Sequence, residues 1–260
     1  LIPAPITADS SPARGVSRTR GTLVAVAAVL LAASGCVPES GGSGGSGGAG
    51  DSGDGKVPAS GAALKAVDGL TVKGRAPKTG YARERFGTAW ADTDGNGCGT
   101  RDDILARDLA GVSLKDRDCQ VGSGTLTRDP YSGKRVEFVR GRSEVDIDHL
   151  VALSDAWQKG ASQWEPRKRI ALANDPLNLV AVDASTNRSK GDGDAATWLP
   201  PSKAYRCAYV AGQVAVKRKY GLWVTAAERD AMREVLSGCP DQKLPSGGNP
   251  TEAPARFSAK

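Results

Sequence analysis

His149 is the only histidine of the chain, and it sits in Asp146-Ile147-Asp148-His149-Leu150. Any step that needs an imidazole must run through this residue, because no other side chain titrates near neutral pH without strong perturbation. A zinc site rich in histidine is excluded. One imidazole with a flanking carboxylate suits a base beside a metal ion. Downstream come Asn178-Leu179-Val180-Ala181-Val182 and then Asn187-Arg188-Ser189-Lys190-Gly191-Asp192. Taken singly, each asparagine is an ordinary turn or cap residue, and Lys190 is an ordinary solvated charge. The order Asp-His, Asn, Asn-x-x-Lys is what makes the group informative.

That order resembles the signature of HNH nucleases, whose fold is the ββα-metal motif. It is similar to the HNH domain of RNA-guided CRISPR nucleases, which shares the Asp-x-Asp-His start and the Asn-Arg-x-Lys-x-Asp finish. It is closer to secreted bacterial HNH proteins related to the C-terminal domain of GmrSD-type restriction enzymes. There the likeness spans residues 81–239, and the core signature spans residues 144–198. Two positions depart from the common pattern. Ala152 stands where many members have proline, and the third signature position is Asn187 rather than histidine.

The resemblance implies phosphodiester hydrolysis, with His149 as general base and Asp148 and Asn187 as metal ligands. Asn178 would brace the loop that carries the histidine. Lys190 would contact phosphate, with Arg188 as a further phosphate contact. Asp146, two residues before Asp148 on an expected strand, would share its face as an outer partner or extra ligand. The chemistry agrees with the residue types. A neutral imidazole can take a proton from water near pH 7. A carboxylate and an amide are a thin set of hard oxygen ligands, completed by water and phosphate, which suits Mg2+ with Mn2+ as a substitute.

The elements that must position these groups follow from patterning. The expected fold class is α+β, an HNH core with inserted and C-terminal helices, stapled by disulfides. Residues 145–149 alternate as a strand, and residues 178–182 form a second apolar strand. Helices are expected at residues 101–109, 153–159 and 167–173, with another opening near residues 185–187. Residues 125–139 read as a hairpin around Asp129-Pro130-Tyr131-Ser132-Gly133. Pro200-Pro201 closes the region before a long helix over residues 203–220. Thr225-Ala226-Ala227-Glu228 is a capping box for a last helix to residue 236. The five tryptophans read as packing residues without a site role.

The folded domain is expected over residues 64–240, with a flexible tail at residues 241–260. Residues 1–36 read as a signal segment: Arg14, Arg18 and Arg20 precede an apolar stretch too short to span a bilayer. It ends in Ala33-Ser34-Gly35-Cys36, which resembles a lipobox. Lipidation at Cys36 and plain cleavage nearby both stand. Residues 37–63 are a flexible linker rich in Gly and Ser.

The other cysteines are Cys98, Cys119, Cys207 and Cys239. In an exported domain they favour disulfides, and three pairings are open. Cys98–Cys119 and Cys207–Cys239 are preferred, because each brackets a compact segment. Asp92, Asp94, Asn96 and Asp103 fall at calcium-loop spacing with Gly97 at its sixth place. The competing reading is a plain turn pinned by a disulfide.

The net charge is +6. Cleavage before Cys36 would leave a mildly basic chain, which suits a polyanion. Arg167, Lys168, Arg169, Arg188 and Lys190 cluster near the motif, with Arg206, Lys217, Arg218 and Lys219 farther on. With no module for reading bases in evidence, binding should rest on the phosphate backbone of DNA, with RNA as a second substrate, and show weak sequence preference. The expected protein is a monomeric, exported or lipid-anchored nuclease. Two alternatives remain open: a non-catalytic, calcium-stabilised envelope-binding lipoprotein, and a phosphoesterase for small molecules.

Overall fold

A computed structural model describes residues 62–115, 119–142 and 144–259. The expected signal segment, Cys36 and most of the expected linker lie outside these residues. Seven α-helices and five strands are seen among the described residues. Helix α1 (Ala62–Asp68) opens the fold and is followed by α2 (Thr100–Asp108). Strands β1 (Ala110–Leu114), β2 (Val121–Leu126) and β3 (Val136–Val139) form an antiparallel sheet in the order β1-β2-β3. The expected hairpin is thus the second half of a three-stranded sheet. Its first strand, where the sequence reading places none, is an edge strand: Ala110, Val112 and Leu114 alternate, but the strand is short and mostly exposed.

A second sheet pairs β4 (Val145–His149) with β5 (Leu179–Asp183), antiparallel, with His149 opposite Leu179. Between them lie α3 (Leu153–Gln158) and α4 (Pro166–Ala173). Pro166 opens α4, where its missing N–H costs nothing. Helix α5 (Ala184–Lys190) follows β5 directly; the Asp183 carboxylate accepts from Thr186 N at 2.7 Å and caps it. The chain closes with α6 (Arg206–Tyr220) and α7 (Ala226–Ser237), the latter capped by Thr225. None of the described helices is long and apolar enough to cross a membrane.

Val145 and Ile147 bury one face of β4 against Ile104, Leu105 and Phe138. The opposite face therefore carries Asp146 and Asp148. A second cluster packs α1, α6 and α7, and a third packs α3 and α4 against the C-terminal half of α6. The disulfides are Cys98–Cys119 and Cys207–Cys239, the preferred pairing.

A buried charge network ties the helices together. The fully buried Lys159 ammonium lies 2.6 Å from Asp155, 2.8 Å from Asp194 and 2.5 Å from Glu228. Lys217 lies 3.0 Å from Asp155 and 2.9 Å from Glu228. Arg75 closes the set, 2.9 Å from Asp155 and 2.6 Å from Asp194. Three positive and three negative groups balance, so none is left buried without a counter-charge.

The ends of the domain differ from expectation. Ala63, placed in the linker by composition, is fully buried within α1. Parts of the tail touch the domain. Ala253 is buried and Phe257 packs on the α3–α4 cluster. Lys219 holds Asp175 at 2.6 Å and also donates to the carbonyls of Gly247 and Asn249. Gly248 has φ 76°, and a Cβ there would sit 2.0 Å from Asp175 Oδ1. Only glycine lets the tail pass this close. These contacts lay residues 247–257 along the domain as a strap.

Candidate active site

The face of β4 opposite the core, Asn187 within α5 with the residues just after that helix, and residues 81–101 enclose a polar cleft of about 390 Å³. Asp146, Asp148, His149 and Asn187 all line it. His149 ends β4 and is only 6% exposed. Its Nε2 lies 2.9 Å from the Ala173 carbonyl, one of the last-turn acceptors that α4 leaves without a helical partner. A carbonyl can only accept, so Nε2 carries the proton. Burial pushes the imidazole down to about 4, against the opposing pulls of the Ala173 carbonyl and Asp148. The ring is therefore neutral at pH 7, and its Nδ1 keeps a free lone pair.

Asn178 is fully buried below this loop. Its Oδ1 accepts from Val151 N at 2.9 Å, and its Nδ2 donates to the carbonyls of Val151 and Leu172. Its own carbonyl accepts from Leu150 N at 2.8 Å. The two residues after His149 are thus tied to the entry of β5 and the end of α4.

The acidic residues divide by environment. Asp148 is buried; Tyr131 Oη donates to it at 2.5 Å, and the Lys190 ammonium lies 2.9 Å away. Tyr131 arrives from the β2–β3 hairpin loop, which Asp129 pins to β5 by accepting from Asp183 N at 2.8 Å. Asp146 is half-buried, with Asn187 Nδ2 at 3.2 Å from its Oδ2. Asp146 and Asn187 therefore face each other across the cleft wall, with the more heavily engaged Asp148 beside them. Among the described residues no three His, Cys, Asp or Glu side chains form a metal cage. The oxygens present fit a hard cation that keeps much of its water or takes phosphate oxygens.

Lys190 does not face solvent. It is buried, paired with Asp148, and donates to the His149 carbonyl at 2.8 Å. Its ammonium is engaged by Asp148 and the His149 carbonyl in this structure, not turned to the open cleft. Arg169 and Lys217, expected among surface cations, are buried as well. Arg169 donates to the carbonyls of Arg85 and Trp164, and Lys217 belongs to the charge network. Arg188 is exposed and is not among the cleft-lining residues.

The cations that do line the cleft are Arg83 and Arg101, with Tyr81 nearby. Burial lowers the Arg101 pKa, yet a guanidinium stays charged. Trp90, assigned no site role from sequence, stacks on His149 at 6.3 Å between ring centroids and 12° between planes. Its backbone adopts φ 60°, the only positive-φ non-glycine among the described residues. Such a conformation costs about 1–3 kcal/mol and needs surrounding structure to hold it. The Arg101 guanidinium sits 6.0 Å over the same ring. The aromatic and basic residues interleaved in Tyr81-Ala82-Arg83-Glu84-Arg85-Phe86 are the one sequence signal that could have raised this segment. Nothing local marks Trp90 or Tyr131.

In the acidic loop, Asp92 accepts from the backbone N–H of Gly95, Asn96 and Gly97. Asp94 and Asp103 both accept from the Asn96 amide, at 3.3 and 3.1 Å. The side chains singled out by spacing do gather in one loop, and the hydrogen bonds seen are those of a turn.

Residues 99–235 match the family of GmrSD restriction endonucleases, C-terminal domain. A fungal relative from Arthroderma benhamiae, described as an uncharacterized secreted protein, is 38% identical over 185 residues. The match covers 70% of this chain and 87% of the relative. The chain belongs to the family of GmrSD C-terminal domains. No solved structure matches it.

Proposed function

We propose that the chain is an exported, metal-dependent endonuclease of the HNH type that hydrolyses phosphodiester bonds, with DNA as first substrate. The observation that carries this reading is His149. It is a neutral imidazole whose Nε2–H is fixed on Ala173, in a cleft that also holds Asp146, Asp148 and Asn187. The strand pair β4–β5 and helix α5 would form the ββα unit. Export is supported by the name of the fungal relative and by the paired cysteines.

His149 Nδ1 takes the proton from the attacking water. Ala173 keeps the ring in the required tautomer, and Trp90 limits its rotation. Asp146, Asp148 and Asn187 would hold a divalent cation, Mg2+ or Mn2+, which supplies positive charge to the phosphate and to the leaving oxygen. Arg83 and Arg101 receive the polyanion backbone, while Lys190 fixes Asp148 and the His149 carbonyl. Low sequence specificity follows from binding through phosphates.

Plasmid nicking by the purified, disulfide-bonded chain tests the reading, with magnesium, manganese, calcium or chelator, beside His149→Ala. Cleavage that requires metal and drops at least about 100-fold in the variant is expected. Equal cleavage by both proteins, or none of DNA or RNA with any metal, would overturn it. A structural calcium ion on Asp92, Asp94, Asn96 and Asp103 is a separate proposal. Thermal stabilisation by calcium should vanish in Asp92→Ala.

A further inference from the structure

A line of cations continues out of the cleft toward α4. It begins at Arg101 and Arg83, which line the cleft. Arg83 opens a single 3-10 turn, Arg83–Phe86, that also carries Arg85. This turn is fixed to α4, because Arg169 Nε donates to the Arg85 carbonyl at 2.9 Å. Gly87, with φ 83°, lets the chain close on the same helix; a Cβ there would lie 2.6 Å from Ile170 Cγ1. Lys168 neighbours Arg169 on α4 and extends the line. Arg85 and Lys168 lie outside the cleft lining.

Three of these cations are set over indole rings. Arg101 lies 6.0 Å from the Trp90 ring, Arg85 5.7 Å from Trp157 and Lys168 4.4 Å from Trp164. Such contacts fix a cation without neutralising it. The rings are already engaged: Trp90 stacks on His149, Trp164 stacks on Tyr220, and Trp157 is only 5% exposed. They serve to hold charge, where proteins that stack bases leave aromatic faces open. The charges themselves are unspent. Among the described residues, none of Arg83, Arg85, Arg101 and Lys168 forms an ion pair or a side-chain hydrogen bond. Glu84 and Glu165 lie exposed along the same stretch and pair with none of them. Burial and then the Arg85 charge lower the pKa of the buried Arg169, so two guanidiniums crowd each other here. Like charges gathered without counter-charge keep a positive potential at the surface, which suits a polyanion.

We propose that this ridge, from Arg83 through Arg85 to Lys168, is a nucleic-acid track that binds the phosphate backbone beyond the cleft. The inference rests on the endonuclease reading for its occupant and deepens it. The substrate is a polynucleotide long enough to leave the cleft, held by phosphates on the α4 side and read without base contacts. Continuity with the cleft selects nucleic acid over other polyanions.

Binding without catalysis tests it. The full chain, in chelator, is titrated with a labelled mixed-sequence duplex of about 20 base pairs, two helical turns, over a series of salt concentrations. Arg85→Gln and Lys168→Gln should each weaken binding about threefold or more at low salt. Each should also lower the slope of log affinity against log salt by about one. Glu84→Lys, which adds a cation to the same turn, should tighten binding and steepen the slope by a similar amount. Arg233→Gln removes an exposed cation from α7, outside the ridge, and should change the slope little. Slopes in the ridge variants that shift no more than in Arg233→Gln overturn the track. So does capture of phosphatidylglycerol vesicles through Arg85 and Lys168 by a chain that leaves the duplex unbound. If plasmid is cut while the ridge variants bind like the parent, the track alone falls. If the ridge variants lose binding as expected while no polynucleotide is cut with any metal, the track stands and the endonuclease reading falls.

Discussion

At the scale of single residues, the site depends on how two kinds of cation are used. Lys190 is internal, and its ammonium offsets Asp148. Lys190→Met would leave a buried carboxylate without its counter-charge, a change that costs about 3–5 kcal/mol. Chemical denaturation should show that loss together with loss of activity. Arg83→Ala removes a cation from the cleft rim and not from the interior. Its stability should stay within about 0.5 kcal/mol of the parent, while KM for DNA rises. Should Lys190→Met unfold at the parent's denaturant midpoint and raise KM alone, Lys190 would be a phosphate contact after all. Trp90 belongs to the same level of description. Trp90→Ala should leave His149 less well oriented and lower kcat more than it raises KM.

At the scale of elements, the parts flanking the motif hold it in place. The Cys207–Cys239 bridge closes a loop of 32 residues between α6 and α7. Chain-entropy arguments assign such a loop about 3–4 kcal/mol. Replacing both cysteines by serine should lower stability by that order, measured by denaturant titration under non-reducing conditions. The C-terminal strap makes a sharper case. Lys219 at the end of α6 and Asp175 ahead of β5 both meet it. Removing residues 241–260 exposes the surface that Ala253 and Phe257 cover. The expected fall in Tm is roughly 2–4 °C for each 1 kcal/mol lost. An unchanged Tm would return the strap to the status of a loose tail.

At the scale of the whole molecule, electrostatics set the response to acid and salt. Burial alone would raise the Asp155 pKa. Lys217 and Lys159 outweigh it and hold the carboxyl at about 2. A carboxyl depressed in the folded state stabilises fully above its unfolded pKa of about 4. That contribution is lost as pH falls from about 4 to about 2. The amount is on the order of 2 kcal/mol, since one pKa unit is about 1.4 kcal/mol. Asp155→Asn should be less stable at pH 7 and should show a shallower loss across that acid window. Equal slopes in both proteins would place the acid sensitivity elsewhere. Phosphate-backbone binding through exposed and cleft cations also predicts that cleavage weakens steeply with ionic strength. Activity flat between 50 and 200 mM salt, on the order of the range over which such binding collapses, would count against it.

The sequence by itself determined the order of the motif and the elements that carry it. Val145–His149, Leu179–Asp183 and the helix beginning beside Asp183 are written in short-range alternation and capping. The lone histidine, the bracing asparagine and the cysteine pairs were legible for the same reason: type and spacing restrict what they can do. Tertiary structure decided which charges are spent inside and which face the cleft. Lys190, Arg169 and Lys217 look like surface cations in a linear reading, yet each meets its partner only when distant helices close. Trp90 reaches His149, and Tyr131 reaches Asp148, across long stretches of chain. The contacts of the strap are tertiary in the same way: Pro and Gly content marks a turn-rich path and does not reveal which surface Ala253 and Phe257 meet. Burial and counter-charge are properties of the packed whole, and no local pattern encodes them.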